Sequence, residues 1–215
     1  LRYNSNGLDW EPHLFDLWRK FKQVIFHFSI DSYGDINHFI RWPSPWRKIQ
    51  RQLRELDNYP WGNLRLTTAT TVTKLSIYYL PDFIGWKVNQ DWKLLNKLPA
   101  GAGMIDLHLA YWPPQLNIIA LTKWLKMEVV EKFDQFYPYL EENWERMAQG
   151  QCTKDEWLKL PYGIDRLKGL MNFMNDEDWS ERLPETAEWC FKVADNRGLD
   201  FMQIFPDLEW LEWYK

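Results

Sequence analysis

Apolar and polar residues follow two different repeat lengths in the first half of the chain. Four short runs are rich in β-branched and aromatic residues or alternate apolar with polar ones, which predicts strands. They lie at residues 2–4, 24–29, 64–72 and 104–110. Three segments between them space apolar residues three or four positions apart, which predicts helices. They lie at residues 12–22, 45–56 and 77–88. Because strands and helices alternate, we expect a parallel sheet with right-handed crossovers.

The second half of the chain has a helical pattern throughout. After Pro113 and Pro114, the apolar spacing predicts helices at residues 121–147, 153–158, 162–175, 184–196 and 205–214. Four strands are too few to close a barrel, which needs eight. The expected fold class is therefore α/β: a partial (β/α) barrel with parallel strands in residues 1–115, followed by a helical C-terminal region in residues 116–215.

The first predicted strand begins at residue 2 and ends in Ser5-Asn6-Gly7, a turn sequence that tolerates positive φ. Such a strand forms an edge of the sheet, and edges are normally covered because their backbone groups are unpaired. The chain also starts with Leu1 rather than Met. We expect either a missing N-terminal segment or a second copy of the chain, in a homo-oligomer, to cover this edge.

Composition excludes several classes of partner. Charged residues make up 26% of the 215 residues with a net charge of −4, so we expect no general affinity for nucleic acid. No apolar run reaches the roughly 20 residues that span a bilayer, so we expect no membrane segment. With Cys152 and Cys190 as the two cysteines, a reducing cytoplasmic location is favoured over a disulfide framework. The 15 tryptophans indicate either large core residues or a stacking surface.

Polar side chains follow the second predicted strand where ligands bind in parallel α/β proteins, at the carboxyl end. Ser29 and Asp31 stand there, and Arg41 follows in the next segment. Ser29 and Asp31 suit either ligand contacts or turn caps. Arg41 suits either a clamp for a carboxylate or a surface ion pair.

The other strands offer weaker candidates. Thr70 belongs to a threonine-rich strand, one face of which could point to a cavity. His108, near Asp106 on the fourth strand, is a candidate for lining a pocket, whereas His27 between two phenylalanines is interpreted as a core histidine. No further histidine or carboxylate stands at ligand spacing, so we predict neither a metal site nor a catalytic residue.

The order of these motifs resembles the later part of radical SAM enzymes of the twitch-domain type. Residues 3–7 are similar to the family's third-strand turn, and Ser29-Ile30-Asp31 resembles its fourth-strand Ser-x-Asp. Arg41 matches the arginine that faces the methionyl carboxylate in that family. The likeness continues through residues 66–72, 78–80, 170–174, 178–179, 195–198 and 205–208.

The resemblance implies an adenosylmethionine site formed by Asn6, Ser29, Asp31, Arg41, Thr70 and His108. A full-length relative would hold S-adenosylmethionine and a [4Fe–4S] cluster and would act on a peptide or another polar substrate. Such clusters need several thiolates, and the family's Cys-x-x-x-Cys-x-x-Cys loop and its Gly-Gly-Glu-Pro-like turn are absent here. We therefore expect a truncated or degenerate relative that binds no catalytic cluster, with an incomplete adenosylmethionine site and no cofactor in this chain. Cys152 would need partners to hold an auxiliary cluster, and Cys190 is typical of a core residue.

Two other functions stay open. The chain could be a non-enzymatic module that associates with itself or a partner through its aromatic surface and its uncovered first strand. A carbohydrate-binding enzyme with tryptophan platforms is a more distant alternative, because no pair of carboxylates at a supporting spacing is evident.

Overall fold

Four parallel strands form one sheet, in the order in which they occur along the chain. The computed structural model describes residues 1–8, 11, 13–95, 106–145, 153–158 and 164–215. The strands are β1 (Arg2–Ser5), β2 (Val24–Ser29), β3 (Leu64–Val72) and β4 (Asp106–Leu109). Each strand pairs in parallel with the next. The prediction of an α/β fold with a four-stranded parallel sheet is confirmed.

Helices lie in the connections between the strands and, with shorter turns and loops, make up most of the rest of the described chain. The first four are α1 (His13–Trp18), α2 (Gly34–Ile40), α3 (Trp46–Asp57) and α4 (Leu80–Val88). Those that follow the sheet are α5 (Lys123–Glu142), α6 (Lys154–Leu158), α7 (Ile164–Asp176), α8 (Leu183–Arg197) and α9 (Phe201–Ile204). Shorter 3-10 segments lie at Pro114–Leu116, Ile118–Ala120, Ser180–Arg182 and Pro206–Tyr214. Across the described ranges, no helix combines the length and the apolar character needed to cross a membrane.

Local sequence signals account for several of these boundaries. At the start of α6, Thr153 N–H donates to Glu156 Oε2 at 2.8 Å and Glu156 N–H donates to Thr153 Oγ1 at 3.3 Å, which is a capping box. The turn after β1 has Gly7 at a φ of 65°, as its sequence predicts. An added Cβ at Gly7 would lie 2.1 Å from the Phe28 ring, so close packing also requires glycine there.

The two faces of the sheet differ in burial. In β2, Val24, Phe26 and Phe28 are buried, whereas the alternate residues are only half-buried. Successive side chains of a strand point to opposite faces, so the apolar set lies on one face and the polar set on the other. The apolar face belongs to the hydrophobic core, which also includes residues of α3, α4, α5 and α8. The opposite face is the polar one.

The helical C-terminal region packs directly on the strand-containing region. Arg166 of α7 donates from Nη2 to the carbonyl oxygen of Leu107 in β4 at 3.0 Å. Lys74, which follows β3, donates from Nζ to Thr186 Oγ1 of α8 at 2.9 Å. One buried apolar cluster runs through both regions. The division at residues 115 and 116 therefore stays a prediction based on the change in secondary structure.

Candidate functional site

A pocket of about 360 Å³ opens on the polar face of the sheet. Most of its lining side chains are polar or charged, and they come from all four strands and from the end of α2. They are Arg2, Asn4, His27, Ser29, Arg41, Ala69, Thr71, Asp106 and His108. The concentration of hydrogen-bonding groups in one concave surface makes this pocket the candidate functional site.

Strand pairing sets the lining residues in rows. Asn4 of β1 lies opposite His27 of β2, one residue from each strand. Ser29 of β2 lies opposite Ala69 of β3, which lies opposite Asp106 of β4. Neighbouring strands are about 4.8 Å apart, so Ser29 and Asp106 are separated by roughly 10 Å across the sheet. The side chain between them is the single methyl group of Ala69, which leaves space for a ligand.

Asp31 and Arg41 form an ion pair at the carboxyl end of β2. Arg41 Nη2 donates to Asp31 Oδ1 at 3.0 Å, and Arg41 Nε lies 2.7 Å from Asp31 Oδ2. The N–H of Thr71 in β3 donates to the same Oδ1 at 2.7 Å. Burial raises the pKa of Asp31, and the Arg41 charge and these hydrogen bonds oppose that rise. Asp31 is only 4% exposed, so it positions Arg41 from behind the pocket rather than lining it.

A buried asparagine holds the backbone that carries Asp31. Asn37 Oδ1 in α2 accepts hydrogen bonds from the N–H groups of Asp31 at 3.0 Å and Ser32 at 3.4 Å. Asn37 Nδ2 donates to Ser44 Oγ at 3.2 Å, and the Ser44 N–H donates to His38 Nδ1 at 3.1 Å. These bonds connect the start and the end of α2, so the ends of β2 and α2 are held together. Sequence analysis did not identify Asn37.

The C-terminal helices support α2 from its other side. The ring of Phe39 is fully buried and packs edge-on against Phe205 at 5.1 Å and Phe201 at 5.6 Å between centroids. Arg197 of α8 donates from Nη1 to the carbonyl oxygen of Phe39, and its guanidinium lies 5.6 Å from the ring centroid of Trp42. The segment that carries Arg41 is therefore held by the last part of the chain.

Two histidines lie in the pocket with different partners. His27 Nδ1 is 2.8 Å from Thr67 Oγ1, and His108 Nε2 is 3.3 Å from Asp106 Oδ2. Burial lowers the pKa of His27; Asp106 opposes this change, whereas Arg2 and His108 reinforce it. The interpretation of His27 as a core residue is wrong, because it alternates with Phe26 and Phe28 and so faces the polar side. That alternation was the signal in the sequence.

Three of the six predicted site residues line the pocket: Ser29, Arg41 and His108. Asp31 contacts Arg41 behind it. Thr70 lies on the opposite, buried face and donates to the carbonyl oxygen of Ile30 at 2.6 Å. Asn6 lies in the exposed turn after β1, where its Oδ1 accepts from the Leu8 N–H at 3.2 Å. The structure therefore does not bring Thr70 or Asn6 into the pocket.

Thr71 and Asn4 take the places predicted for Thr70 and Asn6. Both line the pocket, and each is one or two residues away along the same strand or turn. Thr71 lies opposite His108, and Asn4 lies opposite His27. Leu64, Leu66 and Val72 are each an even number of residues from Thr70, so the alternation of the strand assigns Thr70 to the apolar face and Thr71 to the polar face, and the sequence analysis did not use this signal.

Cys190 does not suit an iron–sulfur cluster. Cys190 is fully buried in α8, and this burial raises the pKa of its thiol to about 12, opposed by Lys74. A thiol in this environment is a poor metal ligand because the thiolate is the binding form. Cys152 lies outside the described residues. Within the described part of the chain, no three side chains from His, Cys, Asp or Glu are grouped so that they could hold a metal ion.

A second, mainly apolar cavity of about 330 Å³ lies between β4 and α7. Leu107, Leu109 and Leu170 line it, together with Asp165, Arg166 and Gly169. Arg166 is already bonded to the Leu107 carbonyl oxygen, which leaves this cavity poorer in available polar groups than the pocket on the sheet. The candidate site is therefore assigned to the polar face.

Comparisons with protein-family models, with curated proteins and with solved structures found no significant match to this chain.

Proposed function

We propose that this protein is a radical-SAM-like partial barrel whose polar pocket binds S-adenosylmethionine without cleaving it. The observation that carries this proposal is the sequential order of four parallel strands together with a polar pocket on one face. Right-handed crossovers between strands in sequential order place the connecting helices on one side of a sheet. The other side is then free to form the interior of a barrel, where ligands meet the carboxyl ends of the strands.

The lining groups match the polar parts of the proposed ligand. Asp31 engages Nε and Nη2 of Arg41, and a guanidinium has five N–H donors, so Nη1 is available for the methionyl carboxylate. The Ser29 hydroxyl and the Asn4 amide can bind ribose hydroxyls. The Asp106 carboxylate can accept from the methionyl amine. All four side chains line the same pocket.

The proposal contains no radical step. The family's cluster uses three closely spaced thiolates, and this chain has two cysteines, of which Cys190 is buried in α8. Radical generation on a peptide or another polar substrate is proposed for relatives that carry the cluster loop, not for this polypeptide. A cytoplasmic location stays a prediction from the cysteine content.

Calorimetric titration with S-adenosylmethionine tests the proposal. The wild-type chain should bind, and Ala69→Leu should weaken binding at least about tenfold, or about 1.4 kcal/mol, because its side chain fills the pocket. Ala69→Ser is the matched control, since it adds only a hydroxyl and should bind within about threefold of wild type. Thermal unfolding of both variants verifies that they fold. Absence of binding to the wild type, or equal binding by the Leu variant, would refute the proposal.

Among the described residues, β1 lies at an edge of the sheet, which favours a second candidate function, self-association. Among the described strands, β1 pairs only with β2, so its outer edge has unpaired backbone groups. Leu1 and Phe21 are each more than two-fifths exposed and line a shallow cavity with Lys22 and Gln23. A second copy could add its β1 there and bury both side chains.

Sedimentation of the wild type and a Phe21→Asp variant distinguishes this candidate. Self-association through this edge predicts a dimer that dissociates on dilution and is lost in the variant. Trp213→Glu is the control: Trp213 is also exposed but does not line the cavity beside β1, so this variant should still form the dimer. A wild-type chain that stays monomeric at high concentration would exclude self-association.

A further inference from the structure

Positive side chains outnumber carboxylates on the polar face of the sheet. Ile25 of β2 has the same orientation as His27 and Ser29, so it lies on the polar face. Arg2 of β1 and Arg65 of β3 both pair in register with Ile25, so they lie on this face too. Among the described residues, neither has a carboxylate within ion-pair distance. The third arginine, Arg41, is paired with Asp31. An anion entering the pocket would therefore meet at least one guanidinium that has no competing partner.

Arg2, Asn4 and His27 converge on one part of the pocket. Arg2 and Asn4 are two residues apart on β1 and so point to the same face, and Asn4 lies directly opposite His27. His108 reaches the same pocket from β4. A guanidinium, an amide and two imidazoles from three strands together offer more hydrogen-bond donors than a single carboxylate group can accept from.

We propose that the Arg2, Asn4, His27 and His108 side chains form a subsite for a phosphate group. This inference rests on the pocket assigned above as the ligand site; it shares Asn4 with the proposed ribose contacts but does not use Arg41, which is proposed for the methionyl carboxylate. A dianionic phosphate accepts charge-assisted hydrogen bonds from several donors at once. The shared chemistry is a terminal phosphate, either free or as a monoester of a small polar molecule.

Phosphate binding should be observable as a change in the pKa of His27, because charged and polar groups from the other three strands surround its imidazole ring. Arg2 of β1 and His108 of β4 disfavour its protonated form, and Asp106 of β4 favours it, while Thr67 of β3 bonds to Nδ1. Burial is the largest cause of the lowered His27 pKa. A bound dianion adds a favourable charge next to the imidazole, so phosphate should raise the pKa of His27.

NMR titration of the four histidine ring signals with inorganic phosphate tests the subsite. We expect saturable shifts of His27 and His108, and an increase in the His27 pKa at saturation. Ribose 5-phosphate in place of phosphate distinguishes a monoester from the free ion: tighter binding assigns the monoester, and equal binding assigns the free ion. Acetate, a monoanion of different shape, should bind at least about tenfold more weakly than phosphate.

Two matched variants make the test specific. Arg2→Gln should weaken phosphate binding about tenfold or more, whereas Arg65→Gln, on the same face but outside the pocket lining, should leave it within about twofold. Arg2→Lys should restore part of the affinity. Equal phosphate affinity in the wild type and Arg2→Gln, or shifts confined to the exposed His13, would overturn the inference.

The two proposals fail separately. The proposed function gives the methionyl carboxylate to Arg41 and gives Arg2 no direct contact with S-adenosylmethionine, so Arg2→Gln should weaken phosphate binding more than adenosylmethionine binding. Phosphate binding without adenosylmethionine binding would overturn the proposed function and leave the phosphate subsite standing. Adenosylmethionine binding without phosphate shifts would do the reverse.

Discussion

Arg41 and Asp31 are joined by two contacts, at 3.0 Å and 2.7 Å, although the carboxylate is almost fully buried and the guanidinium reaches the pocket. The pair links the carboxyl end of β2 to the end of α2. A charge that is buried in this way needs its partner, because removing one member leaves the other uncompensated. Arg41 is therefore both part of the pocket lining and part of the structure that shapes it.

The first prediction concerns the strength of this pair. Arg41→Met should lower the free energy of unfolding by about 2–4 kcal/mol, since Asp31 keeps its charge in a buried place. The double variant Asp31→Asn/Arg41→Met should recover at least about 1 kcal/mol of that loss, because the amide is neutral. Urea unfolding at pH 7 measures both. Additive losses in the double variant would show that the two side chains are not coupled.

The loss of folding stability in Arg41→Met should depend on pH. Burial already raises the pKa of Asp31 above its usual value of 3.8, so ionisation of this group costs stability as the pH rises through the raised pKa. Without Arg41 that pKa rises further. The destabilisation caused by Arg41→Met should therefore be largest near neutral pH and should shrink as the pH falls towards 4. A loss that stays constant over this range would contradict the assignment.

The second prediction concerns Lys74, which is buried against α8. Burial lowers its pKa to about 7, and Cys190 and Glu185 only partly oppose this. Above pH 7 the unfolded chain keeps a proton that the folded chain has lost. Folding stability should therefore rise with pH above 7, by up to about 1.4 kcal/mol per pH unit for this group.

Lys74→Met tests that slope. The variant should be more stable than the wild type below pH 7, and its stability should rise less steeply between pH 7 and 8.5. Lys87, whose pKa burial also lowers to about 7, should keep part of the slope in the variant. Measurements stay below pH 9 because ionisation of Cys190, whose pKa is raised, acts in the opposite direction. An unchanged slope would show that Lys74 is protonated throughout.

The third prediction separates backbone conformation from packing at two glycines. Gly7 and Gly34 have nearly equal φ values, 65° and 60°, but an added Cβ meets the Phe28 ring at Gly7 and nothing within 4 Å at Gly34. Gly34→Ala should cost about 1–2 kcal/mol for the left-handed backbone alone. Gly7→Ala should cost at least about 2 kcal/mol more through overpacking. Equal losses in chemical denaturation would rule out the packing effect.

The fourth prediction concerns Asn37. Its replacement by Ala leaves the N–H groups of Asp31 and Ser32 without their acceptor in a buried place, which should cost about 2–4 kcal/mol. Asn58→Ala, at the exposed end of α3, is the control and should cost less than about 1 kcal/mol. Affinity for S-adenosylmethionine, the proposed ligand, should fall with Asn37→Ala and not with the control. Stability equal to the control would mean that water replaces the amide.

Sequence patterns predicted the sheet better than the short helices. The bounds of β2 and β3 agree with their predicted ranges because one apolar face repeats with period two along each of them. Helix α2 was not predicted, since it has seven residues and no side-chain cap at its start. Its stability comes from Asn37 and from Phe39, which packs on residues about 160 positions further along the chain. Such contacts cannot be derived from a local window.

The sequence predicted which residues lie near the candidate site better than it predicted the contacts that they make. Ser29 and Arg41 were placed at the pocket because they follow a buried strand. That Arg41 would bond to Asp31 depends on how α2 folds back on the end of β2, and that the Thr71 N–H would donate to Asp31 depends on the register between β2 and β3. Register is a tertiary property, because it depends on which residues of two strands far apart in the sequence lie opposite each other.

Arg197 and Phe205 contact Phe39, so the last twenty residues help to fix the position of α2, at the end of which Arg41 lines the pocket. Loosening these contacts would free the helix that bears Arg41 without altering any group that touches a ligand. Substitutions near the carboxyl terminus should therefore change the affinity of the proposed ligand pocket without changing the side chains that line it.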